Sequence, residues 1–279
     1  VAKLIIQIMK KIISLFLIFA SLFIFGQDVK FTDAEIQQKL DSIKAEGNLL
    51  FSLENASWHS TDLAQENKKI KGELGGYLTY KTNDTIKTVF LTKDQKLIIA
   101  EYSFKNDSKK PVKENFTQRS PNPLETSLNN VRSKLISQLP DPKYEVGVPE
   151  GFNLNIITIP FNENYKNYII TGASQNNIIP FGNDYLFITD KEGNIISNKK
   201  FHSRLIPTMT AMQEGGVITQ STHSHLRTNP FISATDICTF KLYAPFTKME
   251  EFSVYSPALG GYMKYNYKKD TISKSKDLK

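Results

Sequence analysis

Two histidines one residue apart, His223 and His225, are followed after seven residues by Ser233-Ala234-Thr235-Asp236. On an extended strand the side chains at i and i+2 project from one face, so both imidazoles can point at the same spot. Asp236, at the start of the next element, can bring a carboxylate there. Two imidazole nitrogens and a carboxylate oxygen suit Zn2+, and a set of three leaves one tetrahedral position open. A catalytic zinc uses that open position for the water it acidifies. The pattern reads as a metal site with hydrolytic chemistry.

The surrounding elements have to place these residues. Gly215-Gly216 opens Val217-Ile218-Thr219-Gln220-Ser221-Thr222, a predicted strand that delivers both histidines at its end. A helix from about Ala234 to Tyr243 follows and is blocked by Pro245. Phe252–Ser256 and Gly261–Tyr265 read as two final strands. Upstream, Leu154–Ile159, Tyr168–Thr171 and Tyr185–Thr189 are strand-like, and Gly193-Asn194 supplies the positive φ of a hairpin into Ile195-Ile196. In the N-terminal part, Ile36, Leu40 and Ile43 recur at helical spacing and stop at Gly47, with a weaker helical stretch within 61–73. Tyr77–Tyr80, Thr85–Leu91 and Leu97–Phe104 form an expected antiparallel meander, 105–123 a loop, and Leu124–Leu139 a second amphipathic helix. The fold class is α+β, with an N-terminal helix plus antiparallel meander and a strand-rich C-terminal half.

His-x-His, seven residues and Ser-x-x-Asp is also the spacing of the JAMM (MPN/JAB) metalloprotease motif. The strand, loop, helix, strand, strand order around it resembles that family over residues 152–268. The resemblance implies a mixed β-sheet with flanking helices, zinc held by His223, His225 and Asp236, and Ser233 as the oxyanion donor. It also implies an upstream glutamate that activates the attacking water. The chain departs from the family in two places: Leu226 follows the second histidine where a proline is usual, and no glutamate stands at the motif position. Glu214 is nine residues before His223, about 30 Å along an extended strand, and Glu192 belongs to a hairpin tip. Asp184, at the head of the Tyr185 strand, falls roughly where the glutamate would lie and is the candidate base.

Each residue also has a structural reading. Ser233 and Asp236 fit a helix capping box, with the serine as N-cap and the acid at N3. His202 reads first as a partly buried strand histidine, otherwise as an additional ligand or substrate contact. His59, beside Trp58, lies outside the motif. Cys238, the single cysteine, reads as a small buried side chain, and no intramolecular disulfide can form. There is no Gly-x-Ser-x-Gly elbow and no phosphate-binding glycine motif, so serine hydrolysis and nucleotide binding are unsupported.

The 279 residues are 40% hydrophobic, enough for a sizeable core. The net charge of +7 gathers partly in a basic segment, 269–279, expected to be a disordered tail. No nucleic-acid motif accompanies it. Lys3, Lys10 and Lys11 precede an apolar run to Phe25 that ends at Gly26-Gln27, which reads as a signal peptide over 1–26 and not as a lasting membrane anchor. Residues 27–140 form the N-terminal α+β region. The expectation is an exported, zinc-dependent hydrolase of peptide or isopeptide bonds acting on a peptide or protein substrate. The alternative is a non-catalytic exported binding or structural protein that keeps a degenerate form of the fold.

Overall fold

The spacing of Ile36, Leu40 and Ile43 predicts a helix that ends at Gly47, yet in the computed structural model of the chain helix α1 spans Asp33–Glu66 and passes through that glycine. The model describes residues 31–105, 107–212 and 215–278; the expected signal segment lies outside them. Gly47 is a point of close approach, not a stop. A Cβ there would stand 2.7 Å from the Ile237 Cβ and 3.1 Å from the Ala234 carbonyl oxygen, inside contact distance of the helix that carries Asp236. Gly47→Ala should therefore lower stability by about 1–2 kcal/mol, overpacking outweighing alanine's better helix propensity. A urea midpoint that stays the same or rises would refute the close approach.

Strands β1 (Leu74–Lys81), β2 (Ile86–Thr92), β3 (Ile98–Phe104) and the short β4 (Lys113–Asn115) form the expected antiparallel meander; β4 lies in the segment read as loop. Helix α2 (Pro123–Gln138) begins with a capping box between Asn122 and Glu125. A second antiparallel sheet runs β5 (Phe152–Phe161), β6 (Asn164–Ala173), β8 (Tyr185–Thr189), β9 (Ile195–Lys200). Strand β7 (Ile178–Gly182) leaves this sheet to pair with β10 (Leu205–Met209), and neither is expected from the sequence. Both carry prolines, which paired face to face as Pro180 and Pro207 contribute no ladder donors and weaken the strand signature.

The C-terminal sheet is mixed. Strand β11 (Gln220–Ser224) pairs in parallel with β12 (Glu251–Ser256), and helix α3 (Ala234–Tyr243) lies between them in the chain. Strands β13 (Gly261–Asn266) and β14 (Thr271–Ser275) complete it in antiparallel fashion. The expected disordered tail is thus a correction: 271–275 add a strand to the edge of β13. Asp270 anchors the turn before it, accepting from the Tyr265 hydroxyl at 2.8 Å and the Asn48 amide at 2.8 Å. A paired edge satisfies backbone groups that an open β13 would present to water.

Residues 37–279 cluster as one compact unit. Its largest buried cluster joins Leu50, Leu53 and Ala56 of α1 to Phe90 and Tyr102 of the meander, Ile157 and Tyr168 of the second sheet, and Ala234 and Cys238 of α3. Cys238 is fully buried, and that burial pushes its thiol well above the ordinary range, as fits a packing residue. Among the described residues no helix is long and apolar enough to cross a membrane.

Candidate metal centre

His223 lies in β11 opposite Val254, and the His225 amide extends the ladder to the Tyr255 carbonyl at 2.9 Å. The alternation of the strand puts the two imidazoles side by side, with ring centroids 5.2 Å apart and planes 29° apart. His223 also packs on Phe181 and Phe252, and burial lowers its pKa, which favours the neutral ring.

Asp236 arrives from the first turn of α3. Its capping-box and metal-site readings are both met, by different oxygens. Oδ2 accepts from the Ser233 amide at 2.9 Å and the Ser233 hydroxyl at 2.8 Å, while the Ser233 Oγ caps the Asp236 amide at 3.0 Å. Oδ1 is buried and accepts no hydrogen bond. Burial works against ionisation, yet the positive His202 and the neighbouring His223 and His225 imidazoles hold this carboxyl well below the usual range. Ser233, expected as an oxyanion donor, has its hydroxyl engaged in the cap and with Thr235 at 2.7 Å.

The fourth member is His202, in the bend between β9 and β10. Its Nε2 lies 2.8 Å from the His225 Nε2 and 3.3 Å from the Asp236 Oδ1. His223 Nε2 is 3.2 Å from His225 Nε2 and 3.5 Å from Asp236 Oδ1, and His225 Nε2 is 3.3 Å from Asp236 Oδ2. All four residues are buried, and their ligand atoms lie within 4.8 Å of one another.

The outer partners fix which ring nitrogens face inward. The His225 Nδ1 is 2.6 Å from the Phe231 carbonyl oxygen, which can only accept, so Nδ1 donates and Nε2 keeps its lone pair. The His202 Nδ1 donates to Asp184 Oδ1 at 2.7 Å, which leaves its Nε2 lone pair inward when the ring is neutral. Two lone pairs facing each other at 2.8 Å repel unless a proton or a cation stands between them. In the metal-free chain a proton can do so: burial disfavours charge on His202, but Asp184 and Asp236 more than offset it and raise its pKa to about 9. The same four groups can hold a metal ion. Donors about 2.0–2.1 Å from a tetrahedral zinc stand roughly 3.3 Å apart, close to the separations found here.

Asp184 does not face this convergence point. It leaves the tight turn Gly182-Asn183, both at positive φ, and Gly182 passes so near the Arg204 carbonyl that a Cβ would stand 2.3 Å from its oxygen. That turn aims the carboxylate at the outer edge of His202. Its second oxygen accepts from the Thr235 hydroxyl, so each oxygen already holds a hydrogen bond. The geometry gives Asp184 an orienting role, and the carboxylate's influence reaches the centre through an imidazole. Such partners fix ring orientation and raise ligand basicity. Asp184→Asn should weaken metal binding roughly ten- to hundredfold with the fold intact, measured by competition with a chromophoric chelator. Unchanged affinity would remove Asp184 from the centre.

Sequence spacing brings out His223, His225 and Asp236, which the fold gathers at one point. It brings out His202 only as a second-choice ligand, after a partly buried strand histidine, and it does not bring out Thr235 and the Phe231 carbonyl as supports. Scans against family models, curated proteins and solved structures find no match for the chain.

Proposed function

We propose that this chain is an exported zinc protein in which His202, His223, His225 and Asp236 hold one ion with four protein donors, and that the ion braces the fold around the β11–α3–β12 crossover. The observation that carries this reading is the unbonded, buried Asp236 Oδ1 among three imidazoles, two of which turn their lone pairs inward. Separations near a tetrahedral edge favour zinc over metals that prefer square-planar or octahedral surroundings. Four protein donors make a closed site, the arrangement found where zinc is structural. This corresponds to the non-catalytic alternative.

The JAMM-like hydrolase of peptide or isopeptide bonds is the second reading. Two observations favour it: the donors are nitrogen and oxygen only, and a cavity of about 240 Å³ touches His225 and Ser233. Zinc, when bound, polarises a carbonyl and acidifies water. In this reading His223, His225 and Asp236 would hold the ion, and His202, its Nδ1 held by Asp184, would take a proton from water on Nε2.

Metal content of the purified full chain tests the proposal. One zinc per chain in wild type and loss of it in His225→Ala are expected; a zinc-free wild type, or a variant that keeps its zinc, sinks both readings. Turnover of peptide or isopeptide substrates by the zinc-loaded protein would overturn the closed site in favour of the second.

A further inference from the structure

The cavity beside the centre has a composition that the metal site does not explain. It lies between α1, the faces of β6, β8 and β9, and the 229–234 loop, and its wall includes Lys39, Lys166 and Lys199. Only one of these lysines is neutralised. Lys166 pairs with Glu46, and Glu46 also receives the Tyr168 hydroxyl, which together with burial keeps that phenol protonated. Glu46 is the one carboxylate in the wall and is already engaged.

Lys39 and Lys199 have no carboxylate partner among the described residues. The Lys199 ammonium sits 5.1 Å from the centroid of the Phe201 ring. Partial burial and then the nearby Lys39 charge lower its pKa, and both lysines line the same cavity. In the same wall the buried Tyr168 stacks with Phe201 at 6.3 Å with planes 9° apart, and the half-buried Phe201 offers the apolar surface. Two unpaired cations in one wall with an aromatic ring are complementary to an anion attached to an apolar body.

We propose that this cavity binds the terminal carboxylate of a peptide whose last side chain is apolar or aromatic, with Lys39 and Lys199 on the carboxylate and Phe201 against the side chain. The volume of about 240 Å³ is below that of a drug-sized pocket and fits one terminal residue, not a long segment. A carboxylate relieves the repulsion between the two ammonium groups and is held by charge-assisted hydrogen bonds. The site needs no turnover at the metal, so it stands under either use of the neighbouring centre.

Binding of N-acetyl-phenylalanine and its primary amide to the full chain, with zinc and after chelation, tests the proposal by calorimetry. The acid should bind saturably and the amide about tenfold or more weaker, since the loss of one charge-assisted contact is worth at least ~1.4 kcal/mol. Lys39→Gln with Lys199→Gln should remove the preference for the acid, and Lys39→Arg with Lys199→Arg should keep it. Equal binding of acid and amide, or no binding of either, overturns the site. If preference for the acid disappears on chelation while the glutamine variants retain it, the carboxylate belongs to the metal and the lysine site is wrong. Inorganic phosphate that displaces the acid at equal concentration would show a general anion site and overturn the peptide terminus as its ligand. Because the acid and amide are compared with and without metal, a chain that binds no zinc can still confirm or overturn the cavity as a carboxylate site.

Discussion

Asp236→Ala should weaken zinc binding by roughly a hundred- to a thousandfold and cut the response of the fold to a chelator to about a third or less. Structural zinc contributes about 10–16 kcal/mol in small zinc-folded peptides, and one of four donors carries about a quarter of it, which gives that range. The variant also loses the N3 acceptor of the α3 cap, worth about 1 kcal/mol, and leaves the raised His202 without one of its two counter-charges. In wild type, zinc at a thousandfold above its dissociation constant adds about 4 kcal/mol of stability, so chelation should lower the unfolding midpoint by roughly 10 °C. Asp236→Ala should begin from a lower midpoint and drop by no more than about 1–4 °C. Asp236→Asn separates the two losses, because its amide oxygen can still cap α3 while the ligand charge is gone. A wild type that unfolds at the same temperature with and without chelator would refute the bracing role.

Zinc affinity should climb about tenfold per pH unit between roughly pH 6.5 and 9. The His202 pKa is raised to about 9 in the metal-free fold, against about 6.5 for a free imidazole. Zinc must displace that proton, so each step down in pH within this window costs the metal one decade. The metal-free fold follows the opposite sign. A group whose pKa is raised on folding stabilises the fold fully below its unfolded pKa, and this is lost as pH rises through the folded value. Metal-free stability should therefore fall between about pH 6.5 and 9, by an amount of order 3 kcal/mol for a shift of this size. Chelator competition and urea unfolding across that window read the two trends. Affinity that is flat through its upper half would show that no protonated histidine stands in the metal's place. His202→Ala should flatten the slope that wild type shows there.

Local elements were legible wherever one short stretch of chain decides them. The α3 boundaries follow from Ser233 as cap and Pro245 as block, and the meander follows from alternating apolar runs with polar turns. The errors lie where a distant partner overrules the local signal. Gly47 reads as a helix stop until Ile237 is seen packed against it, and the basic tail reads as solvated until β13 offers an edge. Strands β7 and β10 pair only with each other and carry prolines, so neither has the signature of a buried central strand.

By itself the sequence determined the α+β class, the strand that presents His223 and His225 on one face, and the helix start that holds Asp236 nearby. Those follow from the two-residue repeat of a strand and from capping chemistry, which act over a few residues. Only the tertiary structure decided that His202, separated from the motif by all of β10, brings a fourth donor, and that Asp184 hydrogen-bonds the outer edge of this ring. The physical reason is that convergence of donor atoms is a property of how the β7–β10 ribbon, β9 and the crossover pack together. No spacing along the chain encodes a distance between elements that meet only when the core has formed.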